Sequence, residues 1–166
     1  MKRIIVIGCP GSGKSTFSRA LNAKTGIPLY HLDMMYWNAD KTIVEKSVFR
    51  QRLFEALETD TWIIDGNYAS TMDARLAACD TVFFLDYPLE VCLDGIYQRR
   101  GKPRSDMPCV ETDDDADFLE FIKSYNEHQR PRVLELLDKY GNKNVVVFKS
   151  REEADDFLNK EFREKK

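Results

Sequence analysis

Near the start of the chain, Gly8-Cys9-Pro10-Gly11-Ser12-Gly13-Lys14-Ser15 follows the pattern GxxxxGKS. Small residues in this arrangement let the backbone turn tightly with its N–H groups pointing inward, a cradle for phosphate oxygens. The run Arg3 to Ile7 before it reads as a strand, and Thr16 and Phe17 after it open a helix, whose positive dipole end faces the same anion. Lys14 would reach the outer phosphates and stabilise the transferring group, and the Ser15 hydroxyl would ligate Mg²⁺. Binding of a triphosphate is thereby assigned to Gly8, Pro10, Gly11, Ser12, Gly13, Lys14, Ser15 and Thr16, with a glycine-rich structural turn as the bland alternative.

A metal-bound triphosphate usually needs a carboxylate at the end of a neighbouring strand, and Asp65 in TWIIDG and Asp86 in VFFLD both qualify, or cap a helix instead. Asp65 is preferred for the metal, because Gly66 directly after it permits close approach to a ligand, whereas Asp86 leads into Tyr87-Pro88 and resembles a helix entry. After His31, itself read as a structural strand-end residue, Asp33 could take the proton of an acceptor hydroxyl or hold a sugar hydroxyl, with Tyr36 and Trp37 offering flat surfaces to a ring. Equally, Asp33 could cap a turn while Met34, Met35, Tyr36 and Trp37 pack inside an inserted subdomain.

Cations cluster at Arg99-Arg100-Gly101-Lys102-Pro103-Arg104 and recur at Arg130 and Arg132. Guanidinium forks on a mobile loop would neutralise charge in a phosphoryl-transfer transition state and exclude water, which makes Arg100, Arg104 and Arg130 catalytic candidates and Arg99 a nucleotide contact. A solvated basic helix end competes with that reading. Glu111, Asp113, Asp114, Asp115 and Asp117 favour the N-terminus of the following helix. Arg75 is either an acceptor contact or a surface ion pair, and Cys9 a tolerated loop residue with some sensitivity to oxidation.

The elements that must position these groups are short apolar runs alternating with helical segments, the pattern of a parallel α/β sheet. Strands are predicted over Arg3 to Ile7, Pro28 to His31, Trp62 to Asp65, Thr81 to Leu85 and Asn144 to Phe148. Helices are predicted from Gly13 to Lys24, Val44 to Glu58, Thr71 to Ala78, Leu89 to Arg100, Asp114 to Asp138, and Arg151 onward. The MMYWN stretch reads as loop.

With 166 residues the chain fits one domain, and a net charge of -3 gives no global basic footprint, so DNA is possible as a partner but unsupported by charge. No apolar stretch approaches the ~20 residues needed to span a bilayer, and MKRIIVIG runs into polar GSGKS, so the expected location is the cytoplasm, as monomer or homodimer. Cys9, Cys79, Cys92 and Cys109 form no CxxC pair, and free thiols are expected. A GTPase switch is disfavoured: NKxD is absent and the lone DxxG, Asp138 to Gly141, lies at a helix end.

Read together, GCPGSGKST, HLDMMYW, WIIDGNY, CDTVFFLDYP, YQRRGKPR and NEHQRPRVLELL make the chain similar to P-loop kinases of the adenylate-kinase-related group, most closely the FlaR-type DNA topology modulation proteins. The resemblance implies an α/β P-loop NTPase three-layer sandwich with a five-stranded parallel sheet ordered 2-3-1-4-5. It further implies ATP with Mg²⁺, an acceptor-binding insertion of the nucleoside-monophosphate type over 33–60, and a short lid over 99–115. Asn67-Tyr68 stands where adenylate kinase has Phe-Pro-Arg, so the arginine that grips an acceptor phosphate there is missing, while Asp33-x-x-Tyr36 resembles uridine-kinase or shikimate-kinase relatives that serve an acceptor hydroxyl. The implied activity is transfer of the γ-phosphoryl group to a small nucleotide or nucleoside-like acceptor. The alternative is a non-catalytic or slowly hydrolysing ATP-binding regulator, with little or no kinase activity, acting on DNA or a protein partner.

Overall fold

Ile4, Ile5, Val6 and Ile7 form an unbroken apolar run, and a strand of that composition must bury both of its faces. All four are at most 1% exposed, at the centre of the sheet. The computed structural model describes residues 1–110 and 116–163. Strands β1 (Arg3–Gly8), β2 (Leu29–His31), β3 (Trp62–Asp65), β4 (Thr81–Leu85) and β5 (Asn144–Phe148) all run parallel in the order β2-β3-β1-β4-β5, as the α/β reading requires.

Among the described residues the helices are α1 (Lys14–Thr25), α2 (Leu32–Tyr36), α3 (Lys46–Leu57), α4 (Ala69–Ala78), α5 (Leu89–Arg99), α6 (Ala116–Lys123), α7 (Tyr125–His128), α8 (Arg130–Lys139) and α9 (Arg151–Glu161). Because strand side chains alternate, Ile4 and Val6 face one way and Ile5 and Ile7 the other. The first pair packs with Phe17 and Leu21 of α1, Cys92 and Ile96 of α5, and Ala154 and Leu158 of α9. The second packs with Phe49 and Leu53 of α3, Met72 and Leu76 of α4, and Val133 of α8. Helices thus cover both faces, giving three layers. The carboxyl ends of β1, β2 and β3 come into register at one edge, where Val6 lies beside Asp65 and Asp65 beside His31.

Several boundaries differ from the sequence reading. The MMYWN stretch is no loop: its first residues belong to α2, with the Trp37 N–H closing on the Asp33 carbonyl at 3.1 Å. The helix expected from Asp114 to Asp138 is broken at Ser124 and Gln129 into α6, α7 and α8. Pro131 lacks the N–H that would continue a helix through α7, and it sits in the first turn of α8, where none is needed. The start assigned to Asp114, and with it Glu111, Asp113 and Asp115, lies outside the described residues.

Candidate active site

Between β1 and α1 the chain wraps a tight loop. Gly13, just before α1, has φ 94°, and no side chain caps the helix, the arrangement that suits an anion at its first N–H groups. Gly11, at φ 84°, lies flat on α5, where a Cβ would come 2.0 Å from the Cys92 carbonyl oxygen. Lys14 Nζ donates to the carbonyls of Gly8 (2.9 Å) and Cys9 (3.3 Å), arching over its own loop. Burial pulls the pKa of this ammonium down, against the opposing pull of Asp65, Cys9 and Asp33.

The loop borders a cavity of about 1010 Å³, room for a nucleotide and a second molecule. Pro10, Gly11, Gly13, Lys14, Ser15, Thr16, Asp33, Asp65, Arg99, Arg100 and Arg104 all line it. Gly8 and Ser12 do not: they meet beneath the loop, where the Ser12 hydroxyl is buried without a hydrogen-bond partner among the described residues. Trp37 lines the cavity, whereas Tyr36 packs inward on Phe49 (ring centroids 5.4 Å apart) and Tyr68 (4.7 Å), so the flat surface is the indole.

Asp65 is 4% exposed, and its Oδ2 lies 2.8 Å from His31 Nδ1, a partner that gives the strand-end histidine a definite task. Gly66 touches the Leu32 side chain, where a Cβ would stand 2.9 Å from Leu32 Cβ, so its lack of a side chain serves packing against α2. Asp86 leads into α5, which begins at Leu89 as expected, but does not cap it, since the N-cap is Pro88. It takes a fork from Arg130 (Nε 2.8 Å, Nη2 2.9 Å) and a bond from Lys149 (2.5 Å). Burial alone would raise the Asp86 carboxyl, but these hydrogen bonds outweigh it and hold the pKa below the usual range.

Arg130, a catalytic candidate by sequence, is tied to Asp86 and does not border the cavity. Arg132 is exposed on α8. Arg75 is neither an acceptor contact nor a surface ion pair. It is 0% exposed and donates to the carbonyls of Gly66 (2.9 Å), Asn67 and Tyr68 (3.1 Å) and to the Thr71 hydroxyl (3.2 Å). Cys9 is buried as well, and its thiol pKa is pushed up by hydrogen bonding to Cys92 and by burial, the reverse of an activated thiolate.

What Arg75 holds is the exit from β3. Tyr68 sits in the left-handed region at φ 30°, unusual for a bulky residue, and the guanidinium fork pins the carbonyls around it. Asn67 is thereby aimed back at β1, with Nδ2 donating to the Gly8 carbonyl (2.7 Å) and Oδ1 accepting the Gly8 N–H (3.2 Å). The Tyr68 hydroxyl donates to Asp33 Oδ1 at 2.5 Å. Burial raises the Asp33 pKa, while the Tyr68 bond and the charges of Lys14 and Arg104 favour the carboxylate.

From the far side, the 101–110 segment comes down over α1. Asp106, 5% exposed, accepts from Ser15 Oγ (2.7 Å) and from Arg104 Nε (3.1 Å) and Nη2 (2.8 Å). Arg104 Nη2 also stands 3.9 Å from Asp33 Oδ2. Arg19 Nη1 reaches Ser105 Oγ at 3.3 Å, and Arg100 lies over the Tyr97 ring at 5.1 Å. Arg151, at the start of α9, closes the site at the Gly11 carbonyl (3.3 Å). The sequence pattern singled out neither Asn67, Tyr68 and Asp106 nor Gly95 and Arg151 as part of this site.

The donor set suits a hard cation. Ser15 and Asp65 both offer oxygen to one cavity, and Mg²⁺ takes one or two protein oxygens beside phosphate and water. Among the described residues, no group of three or more His, Cys, Asp or Glu side chains could hold a metal unaided. No described helix is long and apolar enough to cross a membrane.

No protein-family model matches the chain, and neither does any curated protein sequence. Solved structures do match. The shikimate kinase of Acinetobacter baumannii, in complex with shikimate, aligns over 96% of this chain and 92% of its own with TM-score 0.62 at 18% identity. The deoxyadenosine kinase of M. mycoides, with bound dATP, aligns over 97% and 99% with TM-score 0.54 at 14% identity. At such identities the likeness is one of fold, and the fold is that of the P-loop kinases.

Proposed function

We propose that the chain transfers the γ-phosphoryl group of Mg²⁺-ATP to a hydroxyl of a small acceptor, with a nucleoside-like molecule favoured. One observation carries this reading. A half-buried carboxylate, Asp33, stands across the same cavity from the Lys14–Ser15 loop, oriented by Tyr68 and faced by Arg104. Two kinases among the structural neighbours, and the resemblance of Asp33-x-x-Tyr36 to uridine-kinase or shikimate-kinase relatives, agree with it.

In this reading the loop N–H groups, Lys14 and Arg99 bind the triphosphate, with Ser15 and Asp65 holding Mg²⁺. The metal, when bound, neutralises phosphate charge. Asp33 aligns the acceptor hydroxyl and takes its proton as the oxygen bonds to the γ-phosphorus. The bond from that phosphorus to the bridging oxygen breaks, and ADP departs with the electron pair. Arg100 and Arg104, carried by the 99–110 part of the lid, meet charge as it develops. Trp37 gives the acceptor ring a flat wall, which favours a nucleoside-like shape.

Two variants test the assignment by splitting binding from transfer. Lys14→Ala should abolish ATP binding measured by calorimetry while leaving the thermal melt unchanged. Asp33→Asn should bind ATP as the wild type does but lose roughly 10²-fold or more in kcat. Wild-type kcat in Asp33→Asn would remove the base, and wild-type ATP affinity in Lys14→Ala would remove the phosphate site.

A further inference from the structure

A hydroxyl that ligates a cation must aim a lone pair at the metal and send its proton elsewhere, and a carboxylate that accepts this proton fixes the orientation. The two carboxylates at strand ends do not take this part for Ser15. Asp65 Oδ2 is 2.8 Å from His31, and Asp86 is held by Arg130 and Lys149. The acceptor of the Ser15 proton is Asp106, 91 residues away in the segment after α5, at 2.7 Å.

Asp106 is not a passing surface contact. It is 5% exposed and gripped through both oxygens by the fork of Arg104, whose Nη2 stands 3.9 Å from Asp33. A second link, from Arg19 to Ser105, ties the same stretch to α1. One carboxylate thus joins the cation-binding hydroxyl, the 101–110 segment and the acceptor side of the cavity.

We propose that Asp106 is a positioning residue for the divalent cation, acting through Ser15, so that the metal site is complete only when the 101–110 segment lies over α1. Cation binding and closure are then linked reciprocally: each strengthens the other by the same factor. The proposal rests on the phosphate-loop reading above and adds to it which carboxylate orients the metal-ligating hydroxyl. Loss of such an outer partner typically weakens metal binding 10- to 100-fold.

The test uses Mn²⁺ as a paramagnetic probe. It is titrated into the full chain saturated with a non-hydrolysable ATP analogue, and free ion is read by EPR. Calorimetry gives the affinity for the analogue in EDTA. Asp106→Ala should weaken Mn²⁺ about tenfold or more while changing metal-free analogue affinity less than about threefold. The double variant with Ser15→Ala should lose no more than Ser15→Ala alone. Asp106→Asn, which keeps an acceptor oxygen, should fall between, and serves if the alanine variant does not fold. In the wild type, Mn²⁺ added to the analogue complex should slow hydrogen exchange across 101–110, and in Ser15→Ala it should not.

Additive losses for Ser15 and Asp106 would overturn the proposal. So would tighter analogue binding with and without metal in Asp106→Ala, the behaviour of a carboxylate that merely plugs the phosphate site. If Lys14→Ala binds the analogue like the wild type, it is the phosphate-loop reading itself that fails.

Discussion

Gly95 lies within α5, where glycine is about 1 kcal/mol worse than alanine, so Gly95→Ala ought to stabilise a free helix. In the fold a Cβ there would stand 2.1 Å from the Gly11 carbonyl oxygen and 3.1 Å from Arg151 Nη2. Gly11 has no slack, since its own missing Cβ faces the Cys92 carbonyl at 2.0 Å. Relief therefore needs a shift of about 1 Å in the phosphate loop, because carbon and oxygen repel steeply inside their contact distance. Overpacking of this kind costs about 1–3 kcal/mol, so the helix gain leaves the variant between unchanged and about 2 kcal/mol less stable. Displacement by that distance in a positioned site can cost about 10²-fold, and ATP affinity should fall about 10- to 100-fold. Calorimetric titration of Mg²⁺-ATP beside a thermal melt reads both quantities. A variant with higher Tm and wild-type ATP affinity would refute the claim that α5 sets the loop.

Because burial raises the Asp33 pKa and the base must be ionised, kcat should fall at a higher pH than for an ordinary aspartate; Tyr68→Phe, which removes a bond favouring the carboxylate, should move that limb higher still. The same raised pKa means that ionised Asp33 lowers stability above its folded pKa, so Asp33→Asn should melt no lower than the wild type at pH 7. Arg130→Ala should leave ATP affinity unchanged and cost about 1–2 kcal/mol in a denaturant titration at pH 7, the loss of a partly exposed charged fork. Since Asp86 is held below its usual pKa, its ion pairs stabilise the fold above the unfolded pKa, and the Arg130→Ala deficit should shrink as pH falls through the folded value. Arg75→Lys cannot reach three carbonyls with one ammonium and should lower both Tm and kcat, with ATP affinity less affected.

Strands β1, β3 and β4 were legible as short buried runs, β2 and β5, half-buried at the sheet edges, by composition and flanking turn residues, and the GxxxxGKS loop because its residues are contiguous in the chain. Asp33 and the Arg99 to Arg104 cluster stood out as candidates by type and by place after a strand or helix, and Asp33, Arg99, Arg100 and Arg104 do line the cavity. What escaped the sequence depends on pairs far apart along it: Asn67 with Gly8, 59 residues away, Tyr68 with Asp33, 35 away, and Ser15 with Asp106, 91 away. Nor could the sequence show the partner of Arg130, Asp86, which lies 44 residues upstream. Arg75 misled because arginine is ordinarily exposed, and nothing local announces that three backbone carbonyls await it. Pro131 was visible, yet its power to start a helix as well as break one was resolved only by α7 and α8.

Phosphoryl transfer can be followed directly. ATP labelled in its γ-phosphoryl group, Mg²⁺ and the full chain are incubated with nucleosides, nucleoside monophosphates and small hydroxylated metabolites, and products are resolved by ³¹P NMR and chromatography. A kinase of this kind should yield one or a few acceptors bearing a new phosphate ester, with ADP released in equal amount and both signals cut roughly 10²-fold or more in Asp33→Asn. Tight ATP binding with no labelled acceptor across the set, accompanied by ATP-dependent binding to DNA, would contradict the kinase reading and favour the regulator.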